Sequence, residues 1–344
     1  MAARRSQRGW SQAELARRAG LPRTTVNAIE RARLTPSVST ALALARALQC
    51  SVESLFESEE RRVVDGDTLW AWPPPLNTGR FWEAEVDGRR WWYPVEALSV
   101  NAIPHDGVWR ANRFTVARDD RASRTLVMAC CDPAAGWLAS AYSRASGLRL
   151  LVFPRSGAAA LDLLRQGRVH MAGIHRTTVD EPTANAESVR VALGSGFALL
   201  RVAEWQEGLL VPAQQEPLSI ADLFTRQRRW ALREPGSAAR ECLDALSGGQ
   251  ALEGRIVAGH EAVGHAVRAG WAEAGIGVQL IAEQFGLGFL SIRTETLDLC
   301  CREELLRDRR VRWLLRVLRS RTYRRFLDEL PGYASRGTGE IDRI

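Results

Sequence analysis

The chain contains no lysine: all 47 basic residues among its 344 are arginine. That excludes a Walker-type phosphate loop and lysine Schiff-base chemistry, since both need an ammonium group. No apolar run approaches the ~18 residues of a membrane helix. Met1–Trp10 is Arg-rich and lacks the apolar stretch of a secretory signal, so a cytoplasmic protein without a membrane partner is expected. Cysteine is sparse: Cys50, Cys130, Cys131, Cys242, Cys300 and Cys301 form no CxxC, which argues against a disulfide framework or a zinc ribbon. The remainder, 46% hydrophobic and 25% charged, is ordinary globular stock. The length suits two or three domains at about 150 residues each.

Charge is uneven. Residues 1–56 hold nine Arg against Glu14, Glu30 and Glu53, a balance of +6 out of a total of +7. A basic module on a near-neutral body suggests a nucleic-acid-binding head, with a solvated basic face as the plain alternative. Ser11 and Glu14 read as a capping box opening a helix from Gln12 to Ala19, and Gly20 supplies the left-handed turn. Pro22 opens a second helix to about Arg31. Leu42, Leu44, Ala45 and Leu48 mark a third, and Ser51–Phe56 a fourth. Counting Gln12 as position one, Ala16 is fifth, Gly20 ninth, Val26 fifteenth and Ile29 eighteenth. This is the spacing of a helix-turn-helix, with a small residue at the contact, Gly at the bend and apolar anchors in the second helix.

Residues 8–57 resemble the Cro/repressor (XRE) family in Ser11-Gln12-Ala-Glu-Leu-Ala16, Gly20, Ile29-Glu30-Arg31, Pro36-Ser37 and Leu55-Phe56. The resemblance implies that Gln12 meets a phosphate at its helix start and that the Pro22–Arg31 helix enters the major groove. Arg23, Thr24, Asn27 and Ala28 would face base edges, and Thr25 and Arg31 the backbone. The Ala2–Arg8 stretch is short for the first helix of that family.

Glu57–Arg62 reads as a polar hinge. From Val63 to Thr125 short strand-like runs follow (Thr68–Trp72, Arg80–Val86, Trp91–Val95, Arg113–Arg118), and six of the twelve Trp lie here. Asp87-Gly88 is a hairpin signal, and His105-Asp106-Gly107 reads as a break. Cross-strand aromatic packing in a small sheet is the expected use of the Trp residues.

Beyond Thr125 the pattern becomes βαβαβ. Strands are expected at Thr125–Ala129, Leu148–Phe153 and Val169–Ile174, with helices at Asp132–Tyr142 and Gly157–Gln166. The chain would cross over near Phe197–Val202 and Glu207–Val211. A second α/β unit is expected through Arg229–Arg233, Ser237–Leu246, Glu261–Ala269, Ala274–Val278 and Gly288–Ile292. Leu297–Cys301 would return, before a helix pair over Asp308–Leu330. The fold class is thus multidomain: an all-α helix-turn-helix head (1–57), a small β-rich connector (58–124) and a two-lobed α/β domain (125–344). In that domain lobe 1 takes about 125–205 plus 300–344, and lobe 2 about 212–296.

Motifs in the body occur in a telling order: Cys131-Asp-Pro133, Phe153-Pro-Arg-Ser156, His170-Met-Ala-Gly-Ile-His175, Arg233-Glu-Pro-Gly-Ser237 with Arg240, Ala262-Val263, Ala274-Gly-Ile-Gly277 and Leu330-Pro-Gly-Tyr333. Residues 124–340 are similar to the periplasmic-binding-protein-like (type II) substrate-binding domain related to molybdate- and tungstate-binding proteins, which occurs fused to XRE heads. The resemblance implies a ligand held between helix N-termini. Ser156 and Ser237 each open a helix after a strand, and Arg155, Arg233 and Arg240 could neutralise an oxyanion. Asp132 would cap its own helix or accept from an organic ligand, and His175 ends a strand at the sheet edge. The plain reading of both serines is N-capping.

Other motifs fall away. His260-Glu-Ala-Val-Gly-His265 puts its histidines about 140° apart around a helix, unlike HExxH. The glycine pairs lack the third glycine of a dinucleotide site, and the Cys pairs beside strands read as core. With no nucleophile–base set and no metal cluster, the expectation is a non-enzymatic regulator that needs no cofactor. It would read a double-stranded operator as a homodimer and answer to a small effector, an oxyanion such as molybdate or tungstate or an organic ligand. A ligand-free dimerisation scaffold and a molybdopterin-related enzyme are the alternatives.

Overall fold

The computed structural model describes residues 1–31, 33–50, 52, 55, 70–76, 78–96, 103–110, 113–116, 121–213, 219–225 and 227–344. They form two compact units, Met1–Asp65 with Asn112–Arg118, and Gly66–Ala111 with Asp119–Ile344.

The first unit holds α1 (Ala2–Gln7), α2 (Gln12–Ala19), α3 (Arg23–Glu30) and α4 (Val38–Ala47). Ser11 Oγ accepts the Glu14 N–H at 3.1 Å, but the Glu14 carboxylate turns to Arg17 and Arg18, so only half of the capping box forms. Gly20 has φ 66°, the left-handed conformation that lets α3 leave α2 sharply. Leu15, Ala16, Val26, Ile29, Leu44 and Leu48 seal one core. Of the expected fourth helix only Val52 and Leu55 are described, and Leu55 joins that core. The expected hinge Glu57–Arg62 lies outside the described residues.

In the second unit β1 (Thr78–Val86) and β2 (Arg89–Pro94) form an antiparallel hairpin closed by Asp87 and Gly88 at φ 50° and 71°. Positive φ at both turn residues matches the right-handed twist of the strands. β3 (Gly107–Arg110) pairs with β1, so a strand begins where a break alone was expected. Of Thr68–Trp72 only Trp70–Trp72 are described, and Trp70 bridges to Trp92. Of Arg113–Arg118, β4 (Arg113–Val116) is described and belongs to the first unit.

The aromatic packing reaches beyond the small sheet. Tyr93 stacks on Phe153 at 5.4 Å, its hydroxyl donates to the Arg168 carbonyl at 2.7 Å, and buried Asp106 pairs with Arg149 at 2.6 Å. The Trp-rich strands and the α/β body therefore share a core.

The body runs β5 (Thr125–Cys130), α5 (Ala135–Ser146), β6 (Arg149–Pro154), α6 (Gly157–Arg165), β7 (Met171–Thr177), α7 (Ala184–Leu193), β8 (Phe197–Pro212), α8 (Ile220–Thr225), β9 (Trp230–Arg233), α9 (Ala238–Leu246), β10 (Gly254–Val257), α10 (Gly259–Arg268), β11 (Ala274–Val278), α11 (Gln279–Gln284), β12 (Leu287–Arg302), α12 (Arg309–Leu318), α13 (Arg321–Asp328), β13 (Tyr333–Ala334) and β14 (Ile341–Arg343). β6 and β7 run parallel to β5 in lobe 1, and β10 and β11 parallel to β9 in lobe 2.

The crossings differ from expectation. β8 and β12 are each one continuous strand of 16 residues, paired antiparallel from Leu287↔Pro212 to Arg302↔Phe197. They weld the lobes into one sheet of order β10-β9-β11-β8-β12-β7-β5-β6. Polar Glu204, Gln206, Glu207, Arg293 and Glu295 read as gaps in the sequence. In the ladder the half-buried Arg293 lies 2.9 Å from Glu207 and 2.5 Å from Glu295, so its guanidinium compensates the carboxyl groups buried there. The helix α7 was not expected. Among the described residues no helix is long and apolar enough to cross a membrane.

Candidate functional site

In the head, Arg23, Thr24 and Arg31 are exposed on and just beyond α3, while Thr25, Asn27 and Ala28 are half-buried. Val26 and Ile29 anchor the opposite face in the core. Gln12 is already committed: its amide donates to Glu30 at 2.8 Å, and the Glu30 carboxylate also takes Arg5 at 2.8 Å. Against the burial of Glu30, these bonds hold its carboxyl below the usual range. The result is a brace between α1, α2 and α3 that fixes α3.

In the body, a cavity of 210 Å³ opens between strand ends of the two lobes. It is lined by Cys131, Asp132, Pro154 and Arg155 from lobe 1, and by Arg233, Glu234, Gly259 and His260 from lobe 2. Of the seven expected ligand residues, three meet here: Asp132, Arg155 and Arg233.

The Asp132 Oδ1 atom accepts the Ala134 N–H at 2.8 Å and the Tyr333 hydroxyl at 2.7 Å; it braces the turn before α5, whose N-cap residue Ala134 has no side-chain cap bond. Burial pushes its carboxyl up to about 6 against those bonds. Arg155 is held by Glu96 at 2.5 Å and lies 4.7 Å over the Trp72 ring. Arg233 is 1% exposed and pairs through Nε with Glu234 at 3.0 Å, while its Nη1 has no partner among the described residues.

The other expected residues sit elsewhere. Ser237 Oγ accepts the Arg240 N–H and donates to the Glu234 carbonyl at 2.8 Å, a plain N-cap. Ser156 starts α6 without a side-chain cap bond. Arg240 is tied to Asp244 at 2.8 Å. The neighbours of the two serines, Gly157, Ala158, Gly236 and Ala238, line a second groove of 660 Å³ together with His175.

His175 is 3% exposed. Its Nε2 lies 3.1 Å from Cys131 Sγ, and its Nδ1 donates to Glu295 at 2.7 Å. Glu295 also accepts from Trp205 Nε1 at 2.9 Å. Burial opposes a charged ring, but Cys131 and Glu295 outweigh it and raise the His175 pKa well above its ordinary value. Against its burial, His175 and Arg293 hold Glu295 low; burial and then Glu295 push Glu207 up. His260 is 2% exposed with both ring nitrogens unpartnered among the described residues, and burial, then Arg233, keeps it neutral.

A lobed α/β body with one sheet passing through both lobes and a polar cleft between strand ends is a solute-binding architecture. A model of the PBP superfamily domain matches residues 139–319, more than half of the chain. The chain belongs to the PBP superfamily. A helix-turn-helix family model matches residues 1–55, so this PBP-like domain follows an XRE-type helix-turn-helix. YvgK of Bacillus subtilis (strain 168), a protein of uncharacterized function, is 30% identical over 190 residues, 51% of this chain; the match spans 60% of that relative's length. Among solved structures, a candidate phosphate ABC transporter substrate-binding protein with bound phosphate from Clostridium perfringens is 11% identical. It has a TM-score of 0.50 and covers 60% of this chain and 99% of its own. PhnD1 from Prochlorococcus marinus, in complex with methylphosphonate, is 11% identical with a TM-score of 0.44, covering 64% of this chain and 93% of its own.

Within this PBP-like domain, sequence reasoning missed Cys131, assigned to core packing, and His260, set aside with the HExxxH motif. His265 indeed stands apart, packed on Phe285 at 4.6 Å. Cys131 instead reaches the cleft, because it follows a strand and precedes a helix. Position at a strand-to-helix junction had singled out Ser156 and Ser237; applied evenly, it also selects Cys131 and His260. Glu295, Arg293 and Tyr333 carried no such signal, since only the long crossing strands and the returning tail bring them in.

Proposed function

We propose that this chain is a ligand-responsive DNA-binding transcription regulator rather than an enzyme, working in the cytoplasm as a homodimer. The helix-turn-helix would read an operator through Arg23, Thr24, Asn27 and Ala28, with Gln12, Thr25 and Arg31 near the phosphates. The body would sense a small molecule. The observation that carries this reading is the enclosed cleft in which Arg233 Nη1 and both His260 nitrogens are buried without partners among the described residues. Buried polar atoms are normally satisfied, so the Arg233 Nη1 group and the single N–H of neutral His260, donors left open inside a cavity, define what fits there: a compact ligand with acceptor oxygens. An oxyanion of the molybdate or tungstate type, or an organic ligand with an anionic group, meets that need. Arg233, Arg155 and Arg240 are each paired with a carboxylate (Glu234, Glu96 and Asp244), so what sets Arg233 apart is its Nη1 donor group, unpartnered among the described residues, rather than unneutralised charge.

A ligand bridging the lobes would shift operator affinity only to the extent that it prefers one arrangement of the protein. The test measures binding to promoter DNA by fluorescence anisotropy, and thermal unfolding with molybdate, tungstate and sulfate. Arg23→Ala should weaken specific binding by about 1–3 kcal/mol at unchanged melting temperature. A saturable thermal shift with one oxyanion should disappear in Arg233→Met. No preference for promoter DNA over random duplex would end the regulator reading.

A further inference from the structure

Three buried side chains from three separate elements converge beside the cleft: Cys131 and His260 line it, and His175 lies behind Cys131, on the side of the second groove. Cys131 follows β5, His175 lies within β7, and His260 is in the first turn of α10. One donor atom of each lies within 4.8 Å of the other two. Cys131 Sγ and His175 Nε2 are already 3.1 Å apart. Donor atoms around a tetrahedral zinc ion are about 3.3–3.8 Å from one another, given bond lengths of about 2.0–2.3 Å, so only small shifts separate this cluster from a coordination site.

Two further observations point the same way. First, His175 gives its Nδ1–H to Glu295, which Trp205 and Arg293 hold in place, so Nε2 is the nitrogen aimed at the cluster. A carboxylate behind the imidazole is how metal-binding histidines are oriented. Second, His260 is buried with neither nitrogen bonded among the described residues, although it lines the cavity with Cys131. A thiol nucleophile backed by His175 and Glu295 would use the same pair but would leave His260 without a role.

We propose that Cys131 Sγ, His175 Nε2 and one ring nitrogen of His260 form a three-ligand site for a divalent d-block cation of the zinc class. One thiolate and two imidazoles match the borderline softness of such ions, and three protein ligands leave a fourth position for an outside donor. That donor is the anionic group of the effector, bound between the cation and Arg233. Asp132 stays out of the set, its Oδ1 taken by Ala134 and Tyr333. On binding, Cys131 loses its thiol proton and the charged His175 ring its Nε2 proton, both to solvent, as the sulfur–metal and nitrogen–metal bonds form, with no change of oxidation state. The anion's place in this site rests on the sensor reading; the metal site itself does not.

The experiment uses the full-length, reduced, chelator-treated protein titrated with Co2+, then with Zn2+. One equivalent of cobalt should bind with thiolate-to-metal charge-transfer absorption and tetrahedral ligand-field bands, and zinc should displace it. Cys131→Ser should abolish the charge-transfer band. His260→Leu should weaken binding at least tenfold, while Cys242→Ser keeps the wild-type spectrum. Bound zinc should slow alkylation of Cys131 by iodoacetamide. A wild-type titration without the charge-transfer band would overturn the site, as would equal cobalt affinity in both cluster variants or alkylation indifferent to zinc. Oxyanion stabilisation that persists in metal-free protein would sink the anion-on-metal arrangement and leave the sensor standing. An intact cobalt spectrum without any operator preference would do the reverse.

Discussion

The two walls of the cleft are built differently. On the lobe 1 side Cys131, Asp132 and Arg155 each have a protein partner, and behind them His175, Glu295, Trp205 and Arg293 form a closed hydrogen-bonded network. On the lobe 2 side Arg233 keeps one guanidinium nitrogen free and His260 keeps two ring nitrogens free, among the described residues. A satisfied wall is rigid and expensive to disturb, while an unsatisfied one is cheap to disturb and ready to recognise. Under the proposed function, the contrast would give support to lobe 1 and recognition to lobe 2.

The largest test strikes the closed network. Glu295→Ala strips a carboxylate from His175, Trp205 and Arg293 and should cost about 3–5 kcal/mol in urea unfolding, because charges are left buried and unpaired. A cost below about 1 kcal/mol would mean that the network supports nothing.

A second test uses pH within lobe 1. His170 is buried, its Nδ1 accepts the Val127 N–H at 3.0 Å, and burial, then Arg310, lowers its pKa to about 3. The unfolded chain binds the proton more readily, so stability should be full above about 6.5 and fall as pH drops towards about 3, by a few kcal/mol. His170→Gln should flatten that decline; an unchanged pH profile in the variant would exclude His170 as its source.

The two serines give a smaller effect. Ser237 caps α9 and Ser156 leaves α6 uncapped by its side chain, so Ser237→Ala should cost about 1 kcal/mol and Ser156→Ala less than half of that in chemical denaturation. Equal costs would erase the distinction. Smallest in stability should be His260→Leu, within about 1 kcal/mol of wild type, since the ring has no hydrogen bonds among the described residues to lose. The same variant should lose effector-dependent thermal stabilisation. A large destabilisation would place His260 with the supporting wall instead.

Much of the local structure was legible. The Ser11 cap, the Gly20 turn, the Asp87-Gly88 hairpin and the β5–α5–β6–α6–β7 succession all rest on short-range signals: a hydroxyl before a helix, a residue tolerant of positive φ, a switch from twofold to helical periodicity. The long strands were not legible, because Glu207, Arg293 and Glu295 interrupt the apolar pattern and only cross-strand pairing shows how they fit. Three of seven expected ligand residues met in the cleft. The serines were chosen for being able to bind an anion, and Ser237 spends that ability on its own helix.

What the sequence determined by itself is therefore most of the short elements, though not α7 or the full length of β8 and β12, together with the family: helix ends, turns and strand periods are written within a few residues of each other. The composition of the cleft was decided only in three dimensions. Cys131, His175, His260 and Glu295 lie far apart along the chain, and the continuous sheet sets which of their polar atoms find partners and which stay open among the described residues.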